Sequence, residues 1–385
     1  MNWISYGDAL RILKDLIALP TVNPMGRPYE CTEPVERKVV AYITDLFSRY
    51  GIEIVRQACS PIHESLVITI PGRTKGPITL LESHIDTVPA DDWSETAFTP
   101  RVKNSVVIGR GACDDKGPLT AMILAICDLL ESGKLPPYPI VFLAAGDEEY
   151  AQTGIKFFAK LNYSLGRSVI GEPTRLTPIL QHKGTVRWDI TVHGQSAHSS
   201  RPEMGRDAIQ GAVRVMQLIA KRQQVLCAEF VNPLMSGPTI TVTMIRGGRT
   251  RNAIADECTL SVDFRVLPGM DPAEARQLLI ETLEDDDLAI SHSDIQLMTP
   301  PLCTQPDDPF SLRVLDICHA MTGQKEMTFA GAPYGTDAAW VADRAPAVVL
   351  GPGTIDSAHG VDENIDVNEV VRGARIYSEI LLSET

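Results

Sequence analysis

Apolar residues recur at helical spacing over 7–19 and again over 34–50, which predicts two amphipathic helices. Further along, the pattern changes to short apolar runs. ITLLES (78–83), IVFLAAG (140–146), SVIGE (168–172) and AVVLG (347–351) read as buried strands. Between the first two lies PLTAMILAICDLLESGK, apolar over most of its length. Pro118 near its start and Gly133 near its end mark the limits of a helix. Strands alternating with helices predict an α/β domain: a mixed, largely parallel sheet flanked by helices.

Near position 183 the periodicity changes. TVRWDITVHG (185–194), TITVTMIRGG (239–248) and CTLSVDFRVLPG (258–269) alternate as half-buried strands do. Helices are expected at 206–222 and 272–284, so this stretch reads as an α+β unit with an antiparallel sheet. The expected organisation is a first part at 1–181, an inserted domain at 182–297 and a second part at 298–385. Helices are expected again at 308–322 and 367–382.

Composition narrows the function classes. The 385 residues carry 35 Lys+Arg against 49 Asp+Glu, a net charge of −14. Such an acidic surface disfavours nucleic acid and anionic membranes. No apolar run approaches the roughly 18 residues that a membrane span needs. The eight cysteines contain no CxxC pair, which fits reduced thiols and a cytoplasmic location. The first twenty residues carry Asp8 and Asp15 on an amphipathic pattern, unlike a signal peptide.

The strands of the larger domain end in groups that bind metal. ITLLES runs into His84 and Asp86. IVFLAAG runs into Asp147, Glu148 and Glu149. SVIG leads to Glu172, and AVVLGPG leads through a loop to His359. Open α/β sheets gather ligand sites at such strand ends. GRGACDDKG (109–117) adds Asp114 and Asp115 on a Gly-rich turn. Imidazole and carboxylate without thiolate suit Zn, Co or Mn. If two divalent ions share His84, Asp114, Glu149, Glu172 and His359, three carboxylates offset three of the four positive charges. One unit of charge then remains to stabilise a bridging hydroxide. Glu148, facing differently from Glu149, is left as a general base. Asp86, two residues from His84, can orient that ring.

These segments together resemble a known family. SHIDTVP (83–89), GRGACDDKG, AAGDEE (144–149), GEPT (171–174) and LGPGTIDSAHGVDE (350–363) are similar to motifs of the dinuclear zinc aminoacylase/carboxypeptidase family. Acetylornithine deacetylase and succinyl-diaminopimelate desuccinylase belong to that family. HGQSAHSSRPEMGRDAI (193–209) resembles the family's lid, or dimerisation, segment. The resemblance implies that His84 and Glu172 hold one metal, Glu149 and His359 the other, and Asp114 bridges them. Asp86 would support His84, and Glu148 would carry the proton from water to the leaving amine. His198 would donate to the oxyanion, from the partner subunit of a homodimer. Asn252 and Arg265 would contact substrate, with Gly335 and Thr336 lining the pocket. Asp207 stands where many relatives have Asn, and Cys113 fills a small-residue position.

The segment 330–363 resembles the acetylornithine deacetylase side of the family. The implied activity is zinc-dependent hydrolysis of the amide bond in small N-acyl amino acids. A dipeptidase or carboxypeptidase acting on short peptides is the alternative, and a non-catalytic binding protein on the same fold is a third. His63, His182, His193, His292 and His319 have no ligand neighbours in the sequence and read as structural or surface residues.

Overall fold

The computed structural model describes residues 3–91, 93, 96–283 and 287–385. The chain divides into two compact units.

The first unit comprises Met1–Leu180, Thr304–Ala330 and Thr336–Thr385. Its sheet runs in the order Glu53–Ala58, Glu64–Ile70, Ile140–Ala145, Ile78–His84, Leu165–Ile170, Ala347–Val349. The last four are parallel neighbours, while Glu64–Ile70 joins antiparallel and Glu53–Ala58 closes that edge. The sheet is thus mixed and largely parallel, as the alternation predicts. These two antiparallel strands fall in a stretch, 51–77, that sequence analysis leaves unassigned. The register sets His84 beside Ala145 and Glu82 beside Ile170, so the carboxyl ends of the parallel strands lie level.

Lys116–Ser132 is the central helix. It is buried over most of its surface, as a helix apolar on all sides must be. It packs against Tyr6–Ile17, Val367–Leu382 and the strand Ile78–His84. Gly133 ends it at φ 65°, a conformation that glycine adopts without a Cβ clash. The first helix stops two residues short of the expected 19. The buried Lys116 ammonium donates to the Leu16 and Leu19 carbonyls and satisfies that terminus. The second helix is Arg37–Ser48 rather than 34–50, and the Glu36 side chain is used elsewhere, as described below.

The second unit comprises Gln181–Cys303 and Gly331–Gly335. Its antiparallel sheet runs Thr239–Gly247, Glu257–Val266, Gly184–His193, Ala289–His292, and Leu297–Thr299 also pairs with Gly184–His193. Helices Ala208–Glu229 and Pro272–Thr282 pack on it around Trp188 and Phe264. Asp207 accepts from the Ile209 and Gln210 N–H groups, so the first helix of this unit's pair starts at Ala208 rather than 206. Position 284 of the expected helix 272–284 lies outside the described residues. The edge strand Thr239–Gly247 leaves Met244 and Ile245 exposed. Among the described residues, no helix is long and apolar enough to cross a membrane.

Candidate metal centre

The strand Ile78–His84 delivers His84 to the level end of the sheet, where the ring is buried. Its Nε2 lies 2.9 Å from Asp114 Oδ1, and its Nδ1 lies 3.1 Å from the Asp86 carbonyl oxygen. Asp114 turns its other oxygen to the second histidine: His359 Nε2 is 3.0 Å from Asp114 Oδ2. The same nitrogen is 3.4 Å from Glu149 Oε2. One carboxylate therefore spans two imidazoles. Ligand atoms of His84, Asp114 and Glu149 lie within 4.8 Å of one another, and so do those of His84, Glu148 and Glu172.

The electrostatics of these residues call for cations. Burial pushes the Glu172, Glu148 and Asp115 carboxyls well above their ordinary range, and neighbouring carboxylates push the same way. Glu149 is raised by burial and by Asp114. His359 is raised to about 11 by hydrogen bonding to Asp114 and then Glu149. Glu149 Oε1 is buried with no hydrogen-bond partner. Carboxylates packed this closely, with an orphaned oxygen among them, fit a site for divalent cations.

Asp86 is held by a network that sequence reading did not foresee. Its oxygens accept from the Glu148 and Glu149 N–H groups at 3.0 and 3.2 Å. Asn23 Nδ2 donates to Asp86 Oδ2 at 2.8 Å and to Asp147 Oδ1 at 2.9 Å. Met25 N–H donates to Asn23 Oδ1, which fixes the amide orientation. Burial alone would raise the Asp86 carboxyl, but His84, Asn23 and the Glu148 N–H hold it below its ordinary value. Of the two roles expected for His63, structural or surface, it takes the structural one and is buried. Its Nδ1 meets Glu36 Oε1 at 2.7 Å and its Nε2 lies 3.4 Å from Asp147 Oδ1. Glu36 also accepts from the Glu64 N–H. Gly146 leaves room for this arrangement, because a Cβ there would sit 2.7 Å from the Glu64 carbonyl oxygen. Asp147 adopts φ 67°, which a non-glycine residue holds only when its surroundings over-determine it. The network around its carboxylate does so.

Glu148 has a separate partner. Gln152 Nε2 donates to Glu148 Oε1 at 3.2 Å, and Trp340 Nε1 donates to Gln152 Oε1 at 3.0 Å. Asp115 does not cap the helix it precedes and accepts from the Ser83 hydroxyl instead. Thr336 is buried and caps the short turn Asp337–Trp340 through the Ala338 N–H.

The remaining candidates lie in the second unit. His198 is exposed, and its segment bridges to Ala253, with the Ser199 N–H donating to the Asn252 carbonyl. The Ser200 N–H donates to His198 Nδ1 and the Ser200 hydroxyl lies 2.8 Å from the same nitrogen, so these contacts turn Nε2 away from Ser200. Arg265 turns Nε and Nη2 to Asp263, at 2.6 and 3.2 Å. Arg187 also reaches that carboxylate. The Arg265 fork, expected on a substrate carboxylate, is therefore engaged by an internal one here. A Cβ on Gly335 would meet Thr299 at 3.4 Å.

Residues 80–383 match the model of peptidase family M20/M25/M40. The chain belongs to that family. It is 30% identical to the acetylornithine deacetylase of Photorhabdus laumondii over 97% of this chain and 96% of that protein. The acetylornithine deacetylase of Yersinia pseudotuberculosis is 33% identical, with 93% and 92% covered. In fold, the chain is similar to the M20 metallo-carboxypeptidase Sso-CP2 of Sulfolobus solfataricus. That match has a TM-score of 0.79 at 16% identity and covers 97% of this chain and 98% of that one. The YXEP protein of Bacillus subtilis, described as a dinuclear metal-binding peptidase, matches with a TM-score of 0.69 at 16% identity. It covers 98% of this chain and 97% of its own. As an M20 member, the chain is a metal-dependent hydrolase, and the expected class stands.

Proposed function

We propose that this chain hydrolyses the amide bond of small N-acyl amino acids with two divalent ions, zinc by preference. The observation that carries the reading is Asp114, whose two oxygens face His84 and His359 separately. In this reading His84 and Glu172 hold one ion, Glu149 and His359 the other, and Asp114 both. When bound, the ions would polarise the scissile carbonyl and acidify a water between them.

The chain's own residues supply the rest. Glu148 takes a proton from the attacking water and returns it to the leaving nitrogen, its carboxylate steadied by Gln152. Asp86 orients the His84 ring. His198 offers Nε2–H to the oxyanion, from the second unit of another copy of the chain. Asn252 and Arg265 bind the substrate, with Gly335 and Thr336 at the pocket wall. The exposed apolar edge strand Thr239–Gly247 supports a homodimer formed through the inserted lid. The cysteines, free among the described residues, support a cytoplasmic enzyme.

The deacetylase relatives favour N-acyl amino acids, with dipeptides or carboxy-terminal residues as the second reading. Amine release should be followed from N-acetyl, N-succinyl and N-formyl amino acids and from dipeptides, before and after chelation. Chelator-sensitive release concentrated on acyl amino acids supports the proposal. Preference for dipeptides replaces it with the second reading. No release with metal bound points to a binding protein.

A further inference from the structure

We propose that the buried Arg110–Glu363 pair is a positioning unit that holds the Asp114 and His359 loops in register with each other. The inference rests on the metal-centre reading and assigns the pair no contact with substrate.

Glu363 Oε1 accepts from the Cys113 N–H at 2.9 Å and from the Asp114 N–H at 3.0 Å. Its Oε2 accepts from Arg110 Nη1 at 2.7 Å. Arg110 Nη2 in turn donates to the His359 carbonyl at 3.2 Å, and Nη1 reaches the Gly360 carbonyl at 3.4 Å. Arg110 is 4% exposed and Glu363 is 1% exposed. The guanidinium also lies over the Trp93 ring, 5.4 Å from its centroid. One ion pair thus grips the backbone on both sides of the centre.

The two loops need this grip unequally. Residues 112–118 are buried and run into the central helix. Residues 355–362 are exposed or half-buried, and His359 itself sits at φ 60°. Apolar packing holds the first loop, whereas the second is held by polar contacts: Arg175 with Asp356, Arg101 with Asp362, and the His359 ring with Asp114 and Glu149. Below them, Asn364–Asp366 pairs antiparallel with Val106–Ile108, which brings both loops out of one small sheet. Above that ladder, the Arg110 fork adds a polar tie to the His359 backbone. A planar fork can engage two carbonyls and a carboxylate together, whereas an ammonium is a point charge. Buried ion pairs contribute little net stability compared with a neutral packed pair. Positioning is therefore the role that burial of this one explains.

The test is Zn(II) affinity, by competition with a chelator, for the double variant Arg110→Met/Glu363→Gln. Its glutamine oxygen can still accept from Cys113 and Asp114, but the tie to His359 is cut. The metal-free variant should melt close to the unaltered chain, bind zinc about 10–100-fold more weakly and lose kcat rather than gain KM. Arg110→Lys, which keeps the charge, should show the same loss in milder form and stands in if the double variant does not fold. His359→Ala is measured alongside. If it too binds zinc like the unaltered chain, the metal-centre reading itself is wrong. If His359→Ala weakens binding and the Arg110 variants keep full affinity and kcat, the positioning role alone is overturned.

Discussion

Gln152 donates its side-chain amide to Glu148, and the Trp340 indole fixes which end of that amide points there. Glu148 also lies within 4.8 Å of His84 and Glu172 ligand atoms, so base and ligand are both open to it on distance alone. Glu148→Ala separates them. Turnover should fall below detection while the metal content by elemental analysis stays at the level of the unaltered chain. Loss of an ion together with activity would make Glu148 a ligand. Gln152→Ala should lower kcat by about 10–100-fold with the metal retained.

Asn23 carries both Asp86 and Asp147 on one amide nitrogen. Asn23→Ala leaves two buried carboxylates short of a donor. The cost should be about 1–3 kcal/mol in urea unfolding, together with weaker metal binding. A variant with unaltered metal affinity would confine Asn23 to a structural role.

His198→Ala should reduce kcat by about 10²–10³, the usual cost of one oxyanion donor. A rise in KM alone would make it a binding contact. Mixing His198→Ala with Glu148→Ala protein and exchanging subunits should restore partial activity if His198 acts across the dimer. No recovery after verified exchange would place its action within one chain.

Chelation should lower the melting temperature, since ions bound only to the folded state stabilise it. The effect is about 2.7 kcal/mol at a hundredfold excess over Kd. Calorimetry with and without added zinc checks this, and an unchanged melting temperature would count against a site built from these carboxylates.

Burial raises the Cys127 and Cys318 thiols to about 12. Folded, both stay protonated at pH 8, whereas Cys31 and Cys303 are exposed. Alkylation at pH 8 followed by mass mapping should label the exposed pair and spare the buried one. An unfolded thiol ionises near its ordinary value of about 8.5, so stability is intact below that pH and falls as pH rises toward 12. Alkaline melting curves test this, and the fall should be smaller in a Cys127→Ala/Cys318→Ala chain.

The sequence exposes what long apolar runs and motif spacing encode. Val367–Leu382 lies where 3.6-residue periodicity puts it, and His84 and Glu149 follow strands that are buried along their length. Glu53–Ala58 mixes exposed charged positions with a single buried one, so it shows no strand signature by itself. Its pairing with Glu64–Ile70 decides its conformation. Asn23, His63 and Gln152 are single polar residues without a motif, and their roles depend on what tertiary packing sets against them. Arg110 and Glu363 lie inside the GRG and GVDE motifs. Spacing alone gave no hint that residues 253 positions apart share an ion pair.

The proposed ligands extend from His84 to His359, and the central helix packs against Val367–Leu382. A ribosome adding about 5–20 residues per second needs about 10–50 s to travel from the end of that helix to its packing partner. Throughout that interval the first half of the nascent chain holds an apolar helix with one neighbour unmade and a cation cradle missing a side. A centre that includes His359 can be completed only late in the birth of this protein. The interval before that completion is when a chaperone has most to shield.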